Sequence, residues 1–122
     1  MAAKAYTVLV GLLLLVVGLL GFTGKVPLHV HHNLFHAVSG VIALAVALVW
    51  SRHSAAFARV FGGIYVLLAL LGFAGVGDIG PLHFSLSAIP VLYVHSAVGI
   101  AGLLAGFVGR KKPQATQLKA AA

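Results

Sequence analysis

The chain contains no cysteine and only one acidic residue, Asp78, in 122 positions. Without cysteine there is no disulfide, no thiolate metal ligand and no sulfur nucleophile. With a single carboxylate, and none near His32 or His36, the glutamate base of a HExxH metalloprotease is missing. No glycine-rich phosphate loop precedes a helix. A hydrolytic or thiol-redox enzyme is therefore disfavoured. Charge of any sign is scarce at 7 % of residues, against roughly 25 % in a water-soluble domain. Ionised side chains cannot cover such a surface, and lipid is its natural solvent.

What is present points the same way. Hydrophobic residues make up 61 % of the chain, and the mean hydropathy is +1.13. Residues 6–22, 34–50, 60–77 and 79–109 carry no charge. The last run is too long for one span, and Pro81, Ser85, Ser87 and Pro90 crowd its first third, so it reads as a loop followed by a helix. A helix rising about 1.5 Å per residue needs roughly 20 residues to cross a hydrocarbon core. The pattern predicts transmembrane helices near residues 5–23, 32–51, 57–75 and 89–109. Period-two alternation is absent, which argues against a barrel. The expected fold is all-α, a four-transmembrane-helix bundle in one domain, residues 1–109, with a basic tail at 110–122.

The two halves, about residues 1–53 and 54–109, resemble each other. Gly11, Leu19, Leu20, Gly21, Phe22 and Gly24 align with Gly62, Leu70, Leu71, Gly72, Phe73 and Gly75 at one offset. Pro27-Leu28-His29 then aligns with Pro81-Leu82-His83, and His36, Gly40, Leu44 and Val49 align with His95, Gly99, Leu103 and Val108. Two helices separate equivalent positions, so this is a parallel repeat about the membrane normal rather than the inverted repeat of many transporters.

The net charge of +7 can suggest nucleic acid, but in so apolar a chain it reads as topology, and no nucleic-acid partner is expected. Lys4, Arg52, Arg59, Arg110, Lys111, Lys112 and Lys119 fall on one side of the membrane and Lys25 alone on the other. This places both termini in the cytoplasm of a multi-pass plasma-membrane protein. Arg110, Lys111 and Lys112 read either as a solvated topogenic cluster or as a contact for anionic lipid head groups.

Seven histidines in such a chain require an account. His32 and His36 are spaced i, i+4, which lets two imidazoles meet one metal ion. His29 joins that face if the helix extends back to it. His36 and His95 match across the repeat, each about one turn into its helix. Burial and a helix N-terminus both favour neutral imidazole, the ligand form. Two site readings follow. His29, His32 and His36 bind a divalent metal, or His36 and His95 are axial ligands of a haem or other tetrapyrrole, with Gly40 and Gly99 lining a flat gap. The reading expected ahead of both is that the rings bind nothing and hydrogen-bond Asn33, a serine or a backbone carbonyl.

The run His32-Asn33-Leu34-Phe35-His36-Ala37-Val38-Ser39-Gly40 resembles the opening of the second helix in a family of short bacterial four-helix membrane proteins, a domain of unknown function. Arg59-Val60-Phe61-Gly62-Gly63-Ile64-Tyr65 resembles the start of that family's third helix. In the fourth, Tyr93 and His95 fit the pattern and Leu92 replaces a second asparagine. The resemblance implies a fold and a topology, and no activity. The function expected first is a non-enzymatic accessory or structural subunit that meets lipid, other membrane subunits or copies of itself. The alternative is a tetrapyrrole- or metal-binding membrane protein that uses the histidines. A transporter or channel lacks the intramembrane carboxylates it would need.

Overall fold

A computed structural model describes residues 1–80 and 86–108. Four helices account for most of them: α1 (Ala2–Phe22), α2 (Val30–Leu48), α3 (Ser54–Phe73) and α4 (Ile89–Val108). A short 3-10 turn at Ser51–His53 joins α2 to α3. There is no strand among the described residues. At 21, 19, 20 and 20 residues, each helix is about 30 Å long, and all four are long and apolar enough to cross a membrane. The protein is thus a multi-pass membrane protein with an all-helical bundle. Pro81-Leu82-His83 and the basic cluster Arg110, Lys111 and Lys112 lie outside the described residues.

The boundaries follow local chemistry. α1 starts earlier than the uncharged run because Ala2, Ala3 and Ala5 are strong helix formers. Its end and that of α3 are built alike. Gly24 (φ 75) and Gly75 (φ 87) adopt the left-handed conformation. Lys25 N–H then donates to Leu20 O at 3.3 Å and Gly24 N–H to Gly21 O at 3.1 Å. In α3 the same two bonds run from Val76 to Leu71 at 3.0 Å and from Gly75 to Gly72 at 3.1 Å. Both are Schellman terminations, which satisfy carbonyls that the helix end leaves open.

α1 packs on α2 and α3 on α4 as two tight hairpins, and α1 also touches α3 and α4. Lipid gives packed helices no hydrophobic gain, so association rests on close approach of small residues. A Cβ added to Gly40 would sit 2.6 Å from Leu15 N and 2.8 Å from Gly11 O. One added to Gly99 would sit 2.7 Å from Val66 N and 3.0 Å from Gly62 O. These glycines therefore press α2 onto α1 and α4 onto α3. They do not line a gap between α2 and α4, and the flat slot expected for a macrocycle is not formed beside them. Leucines and valines such as Leu9, Val16, Leu67 and Leu104 are left on the outside, as contact with lipid requires.

The interior between the hairpins is Val10, Leu14, Ala43, Phe61 and Tyr65, flanked by Tyr6, Phe57 and Val98. The Tyr6 hydroxyl donates to the Val98 carbonyl at 3.0 Å and ties α1 to α4. Tyr6→Phe deletes that bond and keeps the ring, so it should lower stability by about 0.5–1.5 kcal/mol. Denaturant unfolding of the purified protein in mixed micelles checks the value, and an unchanged midpoint contradicts it.

Candidate metal centre

His32 and His36 lie on the first two turns of α2, with ring centroids 4.4 Å apart and planes at 62°. α4 brings in His95, whose ring centroid is 6.3 Å from that of His32. Each of the three offers a ligating atom, and these atoms lie within 4.8 Å of one another. A tetrahedral ion with bonds of about 2.0–2.1 Å holds such nitrogens roughly 3.4 Å apart, so small side-chain rotations separate the observed cluster from a closed site. All three are buried, at 4 %, 8 % and 4 % exposure for His32, His36 and His95.

Two side chains near the cluster donate to backbone carbonyls. Asn33 Nδ2 donates to Leu28 O at 3.2 Å, and Ser96 Oγ donates to Leu92 O at 2.8 Å. Nδ1 of His36 and Nδ1 of His95 are buried without a hydrogen-bond partner. An unsatisfied buried polar atom costs about 1–3 kcal/mol, which a bound ion would offset. The one acidic residue, Asp78, is exposed in the segment after α3 and is not among the three clustered ligands.

α3 supports the cluster from the side. Phe57, Phe61 and Tyr65 recur every four residues on one face. The Phe57 and Phe61 rings are 5.0 Å apart and those of Phe61 and Tyr65 4.6 Å. Tyr65 meets His95 edge-on at 5.0 Å and is 2 % exposed. Sequence reasoning did not include Tyr65 in the site, although the period-four aromatics were there to read.

The other described histidines, His29, His31 and His53, are outside this triad. His29 is the N-cap of α2 with extended backbone (φ −63, ψ 152) and is exposed. The helix does not reach back to it, so the i, i+3, i+7 face ends at His32. His95 takes the third place in the cluster that the spacing assigned to His29. His31 is exposed, and His53, at the other end of the bundle, accepts a hydrogen bond from Arg52 Nε at 3.0 Å. His83 lies outside the described residues.

Two cavities meet at the cluster. The larger, about 510 Å³, lies between α1, α2 and α4 and is lined by His32, His36, Tyr65 and His95 with valines, leucines and prolines. The smaller, about 110 Å³, lies on the α3 side near Ile79 and Leu86. A tetrapyrrole held between His36 and His95 would need a flat slot, and the Tyr65 and His32 rings stand beside His95 instead. Fold and site together describe a multi-pass membrane protein with a buried three-histidine cluster. Comparison with family models, with curated proteins and with solved structures finds no match to this chain.

Proposed function

We propose that this protein binds one transition-metal ion within the membrane through His32, His36 and His95. The observation that carries the reading is the convergence of three buried ligating atoms within 4.8 Å of one another. Imidazole donors suit zinc, copper, iron and nickel, whereas calcium and magnesium take oxygen ligands. Three protein ligands leave the ion an open position, the arrangement of sites that exchange a ligand rather than of closed structural sites. The role is metal handling or a metal-dependent contribution to a larger membrane assembly. The accessory-subunit reading is then a statement of where the ion is used. It is supported by the apolar helix faces and by the short connections at 23–29 and 49–53.

The charge distribution supports an outer-side position for the site. Lys4, Arg52 and Arg59 lie at one end of the bundle, and Lys25 and Asp78 at the other, which is also the histidine end. On the positive-inside rule the first end is cytoplasmic, so the centre faces the outer leaflet. A C-terminal reporter active only in the cytoplasm should give full signal, and silence there overturns the orientation. The matched glycine pairs and helix ends of the two hairpins favour descent from a duplicated two-helix unit, and the short bacterial four-helix family of unknown function remains the proposed kinship.

The direct test is metal content. Untagged protein equilibrated with zinc or copper and dialysed should retain about one ion per chain, and retention no greater than in the His32→Ala/His36→Ala/His95→Ala variant overturns the reading. The ligand form of histidine is neutral, so protons compete with the ion. Retention should therefore be full at neutral pH and fall as the pH is lowered, as equilibrium dialysis across a pH series would record.

A further inference from the structure

The larger cavity has a composition that the metal centre alone does not explain. Its walls are Leu13, Leu14 and Val17 of α1 and Val91, Val94 and Val98 of α4, and its polar side chains gather on the wall formed by His32, His36, Tyr65 and His95. At about 510 Å³ it falls in the range of roughly 300–1,000 Å³ typical of small-molecule sites, which are mostly apolar with a few convergent polar groups. His36 and His95 are more than nine-tenths buried, and each holds a partnerless Nδ1. The site also lacks charge balance. A divalent ion held by three neutral imidazoles keeps its full charge in a medium where charge is expensive. The one acidic residue, Asp78, is exposed in the segment after α3. An anion from outside the chain, bound at the open position, would balance the ion.

We propose that the cavity binds a long-chain carboxylate, its head group on the fourth position of the ion and its alkyl chain along α1 and α4. This rests on the metal reading above. The two halves of such a molecule meet two separate needs. The carboxylate oxygen replaces water on the ion and neutralises it, and the tail fills apolar space between helices. A short carboxylate meets only the first need, and a neutral alkane only the second.

The experiment uses the full chain in lipid nanodiscs, loaded with Co²⁺, whose visible absorption reports its ligands. Dodecanoate is the probe and acetate the control with the same head group. Dodecanoate should shift the Co²⁺ bands at a concentration at least about 100-fold below that of acetate, because its tail is buried. Val17→Phe and Val91→Phe narrow the cavity from opposite walls and leave the three histidines in the chain. Each should cut the dodecanoate preference at least about tenfold and leave Co²⁺ affinity unchanged. Because dodecanoate also enters the bilayer, the variants rather than the raw preference decide the matter. Equal dodecanoate response in the wild type and in whichever variant folds overturns the proposal and leaves the metal reading intact. Failure of the wild type to take up Co²⁺ overturns the metal reading itself, and the proposal with it.

Discussion

Replacing His36 by leucine is expected to weaken metal binding by roughly 10²–10³-fold. Structural zinc sites gain about 10–16 kcal/mol from four ligands, so one ligand accounts for about 3–4 kcal/mol. The same change should leave the metal-free protein no less stable. His36 buries an Nδ1 without a partner, and an apolar side chain in its place removes that unsatisfied atom. A purely structural histidine predicts the opposite pair of results, lower stability and unchanged metal content. His95→Leu should behave as His36→Leu does, from a different helix. His53→Leu removes an exposed ring at the other end of the bundle and should alter affinity less than about twofold, within the few tenths of a kcal/mol typical of surface changes. Competition titration against a chromophoric chelator measures affinity, and denaturant unfolding of the apo-protein measures stability.

Gly40→Leu and Gly99→Leu should each destabilise the bundle by about 3 kcal/mol or more. Overpacking commonly costs about 1–3 kcal/mol, and here the obstruction is backbone, which cannot rotate away. The nearest backbone atoms to a new Cβ are Leu15 N and Gly11 O for Gly40, and Val66 N and Gly62 O for Gly99. The hairpin must open for the side chain to fit. Because Gly40 lies one turn beyond His36 and Gly99 one turn beyond His95, an opened hairpin also displaces a ligand, so metal affinity should fall together with stability. Gly63→Ala is the control. It lies in α3 with nothing within 4 Å of a new Cβ, so it should be neutral or stabilising by up to about 1 kcal/mol. Thermal unfolding followed by helical circular dichroism separates the two classes. A Gly40→Leu protein as stable as wild type would show that α1 and α2 are not held by that contact.

Much of this fold is legible before any coordinates, because a membrane helix must carry its own hydrogen bonds and an apolar surface. The uncharged runs therefore locate all four helices to within a few residues. The ends are less legible. Val49 and Trp50 are as apolar as the helix they leave, and only the backbone shows α2 stopping at Leu48. His36 and His95 stand out through the repeat, and His32 through its spacing from His36. Their union in one cluster depends on how α4 sits against α2, which no local pattern records. A helical spacing carries no sign of where the helix begins, so that α2 starts at Val30, with His29 as its N-cap, is seen only in the backbone. The glycines misled. A small residue near a histidine makes room equally well for a cofactor or for a neighbouring helix, and here the helix takes it. The cavity left no trace in sequence, since its lining residues are the same valines and leucines that face lipid elsewhere.

X-ray absorption at the metal edge of the zinc- or copper-loaded protein tests the three-histidine centre most directly. The expected spectrum has a first shell of nitrogen and oxygen at about 2.0–2.1 Å, with the outer-shell scattering of three imidazole rings. That scattering should fall to two rings in His95→Leu. A wild-type spectrum with one imidazole or none, or one that His95→Leu leaves unchanged, would contradict a centre formed by His32, His36 and His95.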